Sequence, residues 1–111
     1  MASFAELLRT PKPVLVDFTA SWCGPCQAQA PILKDLVAEM GDRVKILKID
    51  VDKNPELAKE QRVQSVPTLI LFHEGKAVWR QNGVQSLAAL RKAIDTVAKS
   101  DKAFGTLYGF K

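Results

Sequence analysis

Apolar positions along the chain follow two periods, and each period predicts its own kind of element. Val14 to Phe18 is a nearly continuous apolar run, the mark of a strand buried on both faces, and Asp17 interrupts it. Val44 to Val51 is a second strand, with Val44, Ile46, Lys48 and Asp50 on one face. Pro67 to His73 is a third. Glu74-Gly75 makes a tight hairpin turn, Lys76 to Asn82 is the antiparallel partner, and Gly83 ends it. Helical spacing governs the stretches between the strands. Residues 3–9 form a short helix with Phe4, Leu7 and Leu8 inward, stopped by Pro11 and Pro13. After Cys23, the residues Ile32, Leu33, Leu36, Val37 and Met40 recur on a helix that Pro31 should kink and Gly41 should end. Asn54-Pro55-Glu56 opens a third helix running to about Arg62: Asn caps, Pro takes the first turn, and Glu complements the helix dipole. Ser86 caps a last helix whose buried stripe is Leu87, Leu90, Ile94 and Val97.

The order α, β, α, β, α, β, β, α predicts an α/β fold. Its alternating first half gives a parallel strand pair through a crossover. The hairpin adds antiparallel strands, so the sheet is mixed and carries helices on both faces. There is no internal repeat and no low-complexity tract.

A length of 111 residues supports one domain with one core, and 47% hydrophobic with 25% charged residues is ordinary globular composition. The longest aliphatic and aromatic run, Leu69 to Phe72, is far below the roughly 20 residues of a membrane helix. No basic stretch followed by an apolar one opens the chain, so no signal peptide is expected. The net charge is +4, and the excess lies in residues 56–111, scattered rather than blocked. A nucleic-acid face would want a basic stripe with interleaved aromatics. The sequence offers none, so the charge reads as a solvated surface.

Two cysteines are too few for a disulfide scaffold or a four-cysteine zinc site. Their spacing, Cys23-Gly24-Pro25-Cys26, leaves three readings: a redox dithiol, half a metal site, or chance. Metal wants about four ligands, and beyond the two thiols there is one distant histidine, His73. Chance is weakened because the pair follows a buried strand and starts a helix, the context of a redox motif. A thiolate at a helix N-terminus is stabilised by unpaired N–H groups and the positive end of the dipole. The second cysteine lies within one turn, so the two sulfurs can close a ring.

Val16-Asp17-Phe18-Thr19-Ala20-Ser21-Trp22-Cys23-Gly24-Pro25-Cys26 resembles the active-site segment of the thioredoxin family. Ser65-Val66-Pro67-Thr68 resembles that family's proline loop, and Gly83 the glycine that ends its last strand. The likeness runs from about Val14 to Val97. It implies a thioredoxin fold, a central mixed four-stranded sheet flanked by four helices, with the family's usual N-terminal first strand missing. It also implies residues 1–99 as the domain and 100–111 as a tail. Without that first strand, Val44–Val51 should be a sheet edge, covered in part by the tail or by a second molecule.

The resemblance implies a thiol–disulfide oxidoreductase that reduces protein disulfides through a reversible Cys23–Cys26 disulfide. Cys23 would be the exposed nucleophile and Cys26 the buried resolving thiol. Asp17 would accept the proton of Cys26, and Lys48 would tune Asp17. Gly24 and Pro25 would set the redox poise. Trp22, Val66, Pro67 and Gly83 would line the substrate groove with Gly24 and Pro25, with the Val66–Pro67 bond cis. No bound cofactor or metal is implied. Electrons would come from NADPH through thioredoxin reductase, in the cytoplasm, to disulfide-containing protein substrates, and the protein would act as a monomer without nucleic acid or membrane.

Each role has a plainer rival. Asp17 could be a structural core acid, although burying a carboxylate without a partner is costly. Lys48 could simply lay its stem along the strand. Two departures from the family bear on the site: Thr19 stands where many members carry an aromatic, and Gln27 where a lysine or arginine is common. Other functions remain open at this point: an oxidant or isomerase, a binding module regulated by its thiols, or two chains sharing a metal or iron–sulfur cluster.

Overall fold

In a computed structural model, which describes residues 3–97, four strands form one sheet in the order β2-β1-β3-β4. These are β1 (Val14–Thr19), β2 (Lys45–Asp50), β3 (Thr68–His73) and β4 (Lys76–Asn82). β1 pairs parallel with β2 and antiparallel with β3, and β3 pairs antiparallel with β4. Four helices accompany them: α1 (Phe4–Leu7), α2 (Gly24–Met40), α3 (Pro55–Glu60) and α4 (87–97). A single 3-10 turn, Gly41–Arg43, links α2 to β2.

Alternation along β1 and β3 divides the core in two. Leu15, Leu69 and Leu71 face Leu33, Leu36 and Met40 of α2 and Leu90 and Ile94 of α4. Val14, Val16, Phe18, Ile70 and Phe72 face the other way, onto Leu8, Phe4 of α1 and Leu57 of α3. Both central strands are buried almost throughout, as their apolar runs predict. Asp17 lies two residues beyond Leu15 and is paired across the sheet with Leu69, so it belongs to the face covered by α2.

Local chemistry explains most element ends. Glu74 (φ 54°) and Gly75 (φ 80°) both take the left-handed conformation that a two-residue hairpin requires. Gly41 (φ 58°) closes α2, whose helical run continues unbroken through Pro31. Ser86 Oγ accepts the Ala89 N–H and caps α4. Two expected details differ. Asn54 stands at the N-cap of α3 without a side-chain capping bond, because its Nδ2 instead donates to the Asp50 carbonyl at the end of β2. α3 ends at Glu60 rather than near Arg62, where the backbone turns left-handed (φ 57°). Arg80 of β4 donates to the Gln61 and Arg62 carbonyls just beyond that end.

Among the described residues β2 is an edge strand. The expectation that residues 100–111 cover it falls outside the described residues, as does the boundary between domain and tail.

Candidate active site

The site sits where β1 hands over to α2. Cys23 has extended backbone (φ −93°, ψ 113°) and is the N-cap of α2, with Pro25 in the first turn where a missing N–H costs nothing. The Cys26 N–H donates to Cys23 Sγ at 3.1 Å. A helix start therefore delivers both a hydrogen bond and its dipole to the sulfur of Cys23, and both favour a thiolate there. Cys23 and Cys26 form a disulfide across Cα atoms 5.3 Å apart.

One expectation needs correcting. Cys23 should be exposed and Cys26 buried, yet in the oxidised pair their exposures are 3% and 4%. The two side chains pack with Ala20 against Val51 and Val66, so that each half of the disulfide is covered to the same degree. What distinguishes the cysteines here is the N-cap bond, received by Cys23 alone.

Around the pair lie the other residues singled out in the sequence. Trp22 is 69% exposed, and its indole Nε1 donates to Asp52 Oδ2 at 2.8 Å, which ties the ring to the loop after β2. Gly24 and Pro25 are exposed. The Val66 carbonyl oxygen lies 3.5 Å from Cys23 Sγ, and the Val66–Pro67 peptide is cis. Pro67 itself is buried, and its carbonyl accepts the Gly83 N–H at 2.8 Å. Gly83 has φ 83°, a left-handed backbone that favours glycine. The dithiol, the Val66–Pro67 loop and Gly83 thus form one continuous arc.

On β1, between Lys48 of β2 and Leu69 of β3, Asp17 is fully buried and neither carboxylate oxygen meets a hydrogen-bond partner among the described residues. Desolvation pushes its pKa up from 3.8 to about 6, against an opposing pull from the positive charge of Lys48, its register partner on β2. Lys48 is itself exposed. A cleft of about 380 Å³ opens beside Cys26 and is lined by Thr19, Ala20, Ser21, Gln27, Ala30, Lys48 and Asp50. Both departures from the family pattern, Thr19 and Gln27, border this cleft.

Sequence reasoning missed Asp52 and Gln29. Nothing in the pattern marks Asp52. Gln29 did leave a signal: it stands three residues after Cys26 and four before Leu33, a polar residue on a buried helical stripe. Its side chain is fully buried and pairs with the backbone of Gln85.

Such an arrangement is suited to exchanging disulfides. It holds a sulfur favoured as thiolate, a second sulfur in bonding range and a buried acid poised near neutrality. Comparison with known proteins agrees. A family model described as Thioredoxin matches residues 1–96. A thioredoxin-like protein of Synechocystis sp. is 51% identical over 90 residues, covering 80% of this chain and 86% of that protein. The bifunctional thioredoxin reductase/thioredoxin of Mycobacterium leprae is 47% identical over 94 residues, 85% of this chain and 20% of that one. The crystal structure of oxidised mitochondrial thioredoxin 3 from Saccharomyces cerevisiae superposes with a TM-score of 0.76 at 35% identity, covering 84% of this chain and 86% of that one.

Proposed function

The chain belongs to the thioredoxin family and is a thiol–disulfide oxidoreductase that reduces protein disulfides, and on that premise we propose how its residues divide the reaction. The Cys23 thiolate attacks one sulfur of a substrate disulfide. A mixed disulfide forms and one substrate thiolate leaves. Cys26 then gives its proton to the Asp17 carboxylate and attacks Cys23 Sγ, which closes the Cys23–Cys26 disulfide and releases the second substrate thiolate. Two electrons have passed from the dithiol to the substrate.

The observation that carries this reading is the N-cap bond from the Cys26 N–H to Cys23 Sγ, which favours Cys23 as the thiolate. The raised pKa of Asp17, about 6, supports its role: near neutral pH it is mostly ionised yet still a competent proton acceptor. Lys48 opposes that rise and so tunes it. Gly24 and Pro25 set the helix entry and with it the redox poise. Trp22, Val66, Pro67 and Gly83, with Gly24 and Pro25, form the groove that receives the substrate's backbone.

We place the chain downstream of a thioredoxin reductase that spends NADPH. The relative that joins both activities in one polypeptide supports that pairing. The protein carries no prosthetic group, and works as a monomer in the cytoplasm, with residues 1–99 as the catalytic domain and 100–111 as a tail. Reductase-coupled reduction of insulin, followed by NADPH consumption, tests the activity. Brief alkylation of the reduced protein with mass spectrometry tests the roles: Cys23 should label well before Cys26. Equal labelling, or Cys26 first, overturns the assignment. Cys26→Ser should accumulate a mixed disulfide through Cys23, and a variant that turns over normally removes Cys26 as the resolving thiol.

A further inference from the structure

The carboxamide of Gln29 lies one helical turn past Cys26 and is completely buried. Its Nε2 donates to the Gln85 carbonyl at 3.0 Å, and its Oε1 accepts the Gln85 N–H at 2.7 Å. One side chain thus occupies both backbone groups of a residue 56 positions away. The pairing also fixes which end of the amide is oxygen, since the reverse orientation would set donor against donor and acceptor against acceptor.

Gln85 is not an arbitrary anchor. Its own side chain donates to the Asn82 and Gly83 carbonyls. Gly83 in turn donates to the Pro67 carbonyl, and the Val66 carbonyl sits against Cys23 Sγ. The links close a ring that leaves the dithiol through α2 and returns to it through Gln29, Gln85, Gly83 and the Val66–Pro67 loop. At Gly83 an added Cβ would meet nothing within 4 Å, so that wall faces open space and the hydrogen bonds behind it carry much of its placement.

A buried carboxamide needs a reason, since an apolar side chain would fill the α2 stripe without polar groups to satisfy. We propose that Gln29 is a positioning residue: it holds the Gly83 wall of the groove at a fixed distance from the dithiol. Through that wall it sets affinity for disulfides presented on a polypeptide backbone. A small disulfide that touches only the sulfurs is indifferent to it. This rests on the reading of Gly83 as part of the substrate groove.

The test compares insulin with hydroxyethyl disulfide as substrates. Gln29→Met keeps the length and loses both hydrogen bonds. It should raise KM for insulin about fivefold, the equivalent of one net hydrogen bond, with kcat and the rate on hydroxyethyl disulfide held. Gln29→Glu provides the rescue. Below its pKa the carboxyl donates and accepts as the amide does, so KM relative to the native protein should return toward one at acid pH and rise as the group ionises. Unchanged insulin KM in both variants overturns the proposal, and so does an equal loss on both substrates. Gly83→Ala, whose Cβ meets nothing within 4 Å but whose φ of 83° strains an alanine, separates the two readings when its rate on hydroxyethyl disulfide is native, which shows the dithiol undisturbed. If it leaves insulin KM unchanged the groove reading falls. If it raises KM while Gln29→Met does not, only the role of Gln29 falls. Should the Gln29 variants not fold, hydrogen exchange on the native protein decides, because the Gln85 amide, held by Gln29, must be protected like that of Gly83 and exchange more slowly than those of Val84 and Ser86. Fast exchange there excludes a fixed wall.

Discussion

Asp17 and Gln29 are both polar, both fully buried, and both close in sequence to the dithiol, yet the fold treats them oppositely. Asp17 points from the middle of β1 into the face beneath α2 and meets no hydrogen-bond partner among the described residues. Gln29 looks out from α2 and has both ends of its amide satisfied. An unsatisfied buried carboxyl is held at a cost, and such costs persist where a reaction needs a displaced pKa. A satisfied buried amide costs little and fixes geometry. On the roles proposed above, the pair separates two uses of interior polarity: Asp17 would handle a proton and Gln29 would hold a distance.

The largest effect should come from cancelling the titration. If Asp17 is the proton acceptor for Cys26, as proposed, Asp17→Asn should slow the step that resolves the mixed disulfide by about a hundredfold. Stopped-flow detection of the mixed disulfide would show it accumulating, and undiminished turnover would return Asp17 to a structural role. The same variant should be the more stable one near pH 8. The unfolded acid ionises near 3.8 and the folded acid near 6, so stability is fully present below the lower value and is lost as pH rises through the upper one. Two pKa units correspond to about 3 kcal/mol, an upper bound for the gain. The difference between native and Asp17→Asn in urea titrations should open between pH 4 and 6. It should stay flat at higher pH, and a difference independent of pH would contradict a strained acid.

Gln29→Met sharpens the contrast because its sign is reversed. It strips partners from two backbone groups of Gln85 and should cost about 1–3 kcal/mol. That cost should be the same at pH 5 and pH 8, since nothing titrates. A gain in stability would mean the amide pair is no better than an apolar contact. The smallest change belongs to Lys48→Met. Removing the charge that opposes desolvation should move the Asp17 titration upward from about 6, readable as a shifted midpoint in the turnover–pH profile. Because Lys48 is exposed, screening keeps this shift below that from burial, and a downward shift would sever the two residues.

How far these two residues were legible in advance follows from their settings. Asp17 interrupts an apolar run, so its burial and raised pKa could be read from neighbours in the chain. Gln29 stands on a helix whose stripe could be read, but its partner is 56 residues away and is a backbone, which no side-chain pattern encodes. Asp52, the acceptor of the Trp22 indole, lies 30 residues from it and left no trace at all. Asn54 shows a different failure. The cap signal was correct in position, and a carbonyl at the end of β2 drew the side chain away.

The chain by itself determined the element order, the mixed sheet, the hairpin at Glu74-Gly75 and the placing of Cys23 at a helix start, because these follow from period, proline, glycine and capping within a few residues. Tertiary structure alone decided that both cysteines are equally covered in the disulfide, that Pro67 hands its carbonyl to Gly83, and that Gln29 reaches Gln85. Each of those depends on which segments the folded sheet brings within hydrogen-bond range. Burial and long-range pairing are properties of that packing rather than of any one stretch of sequence.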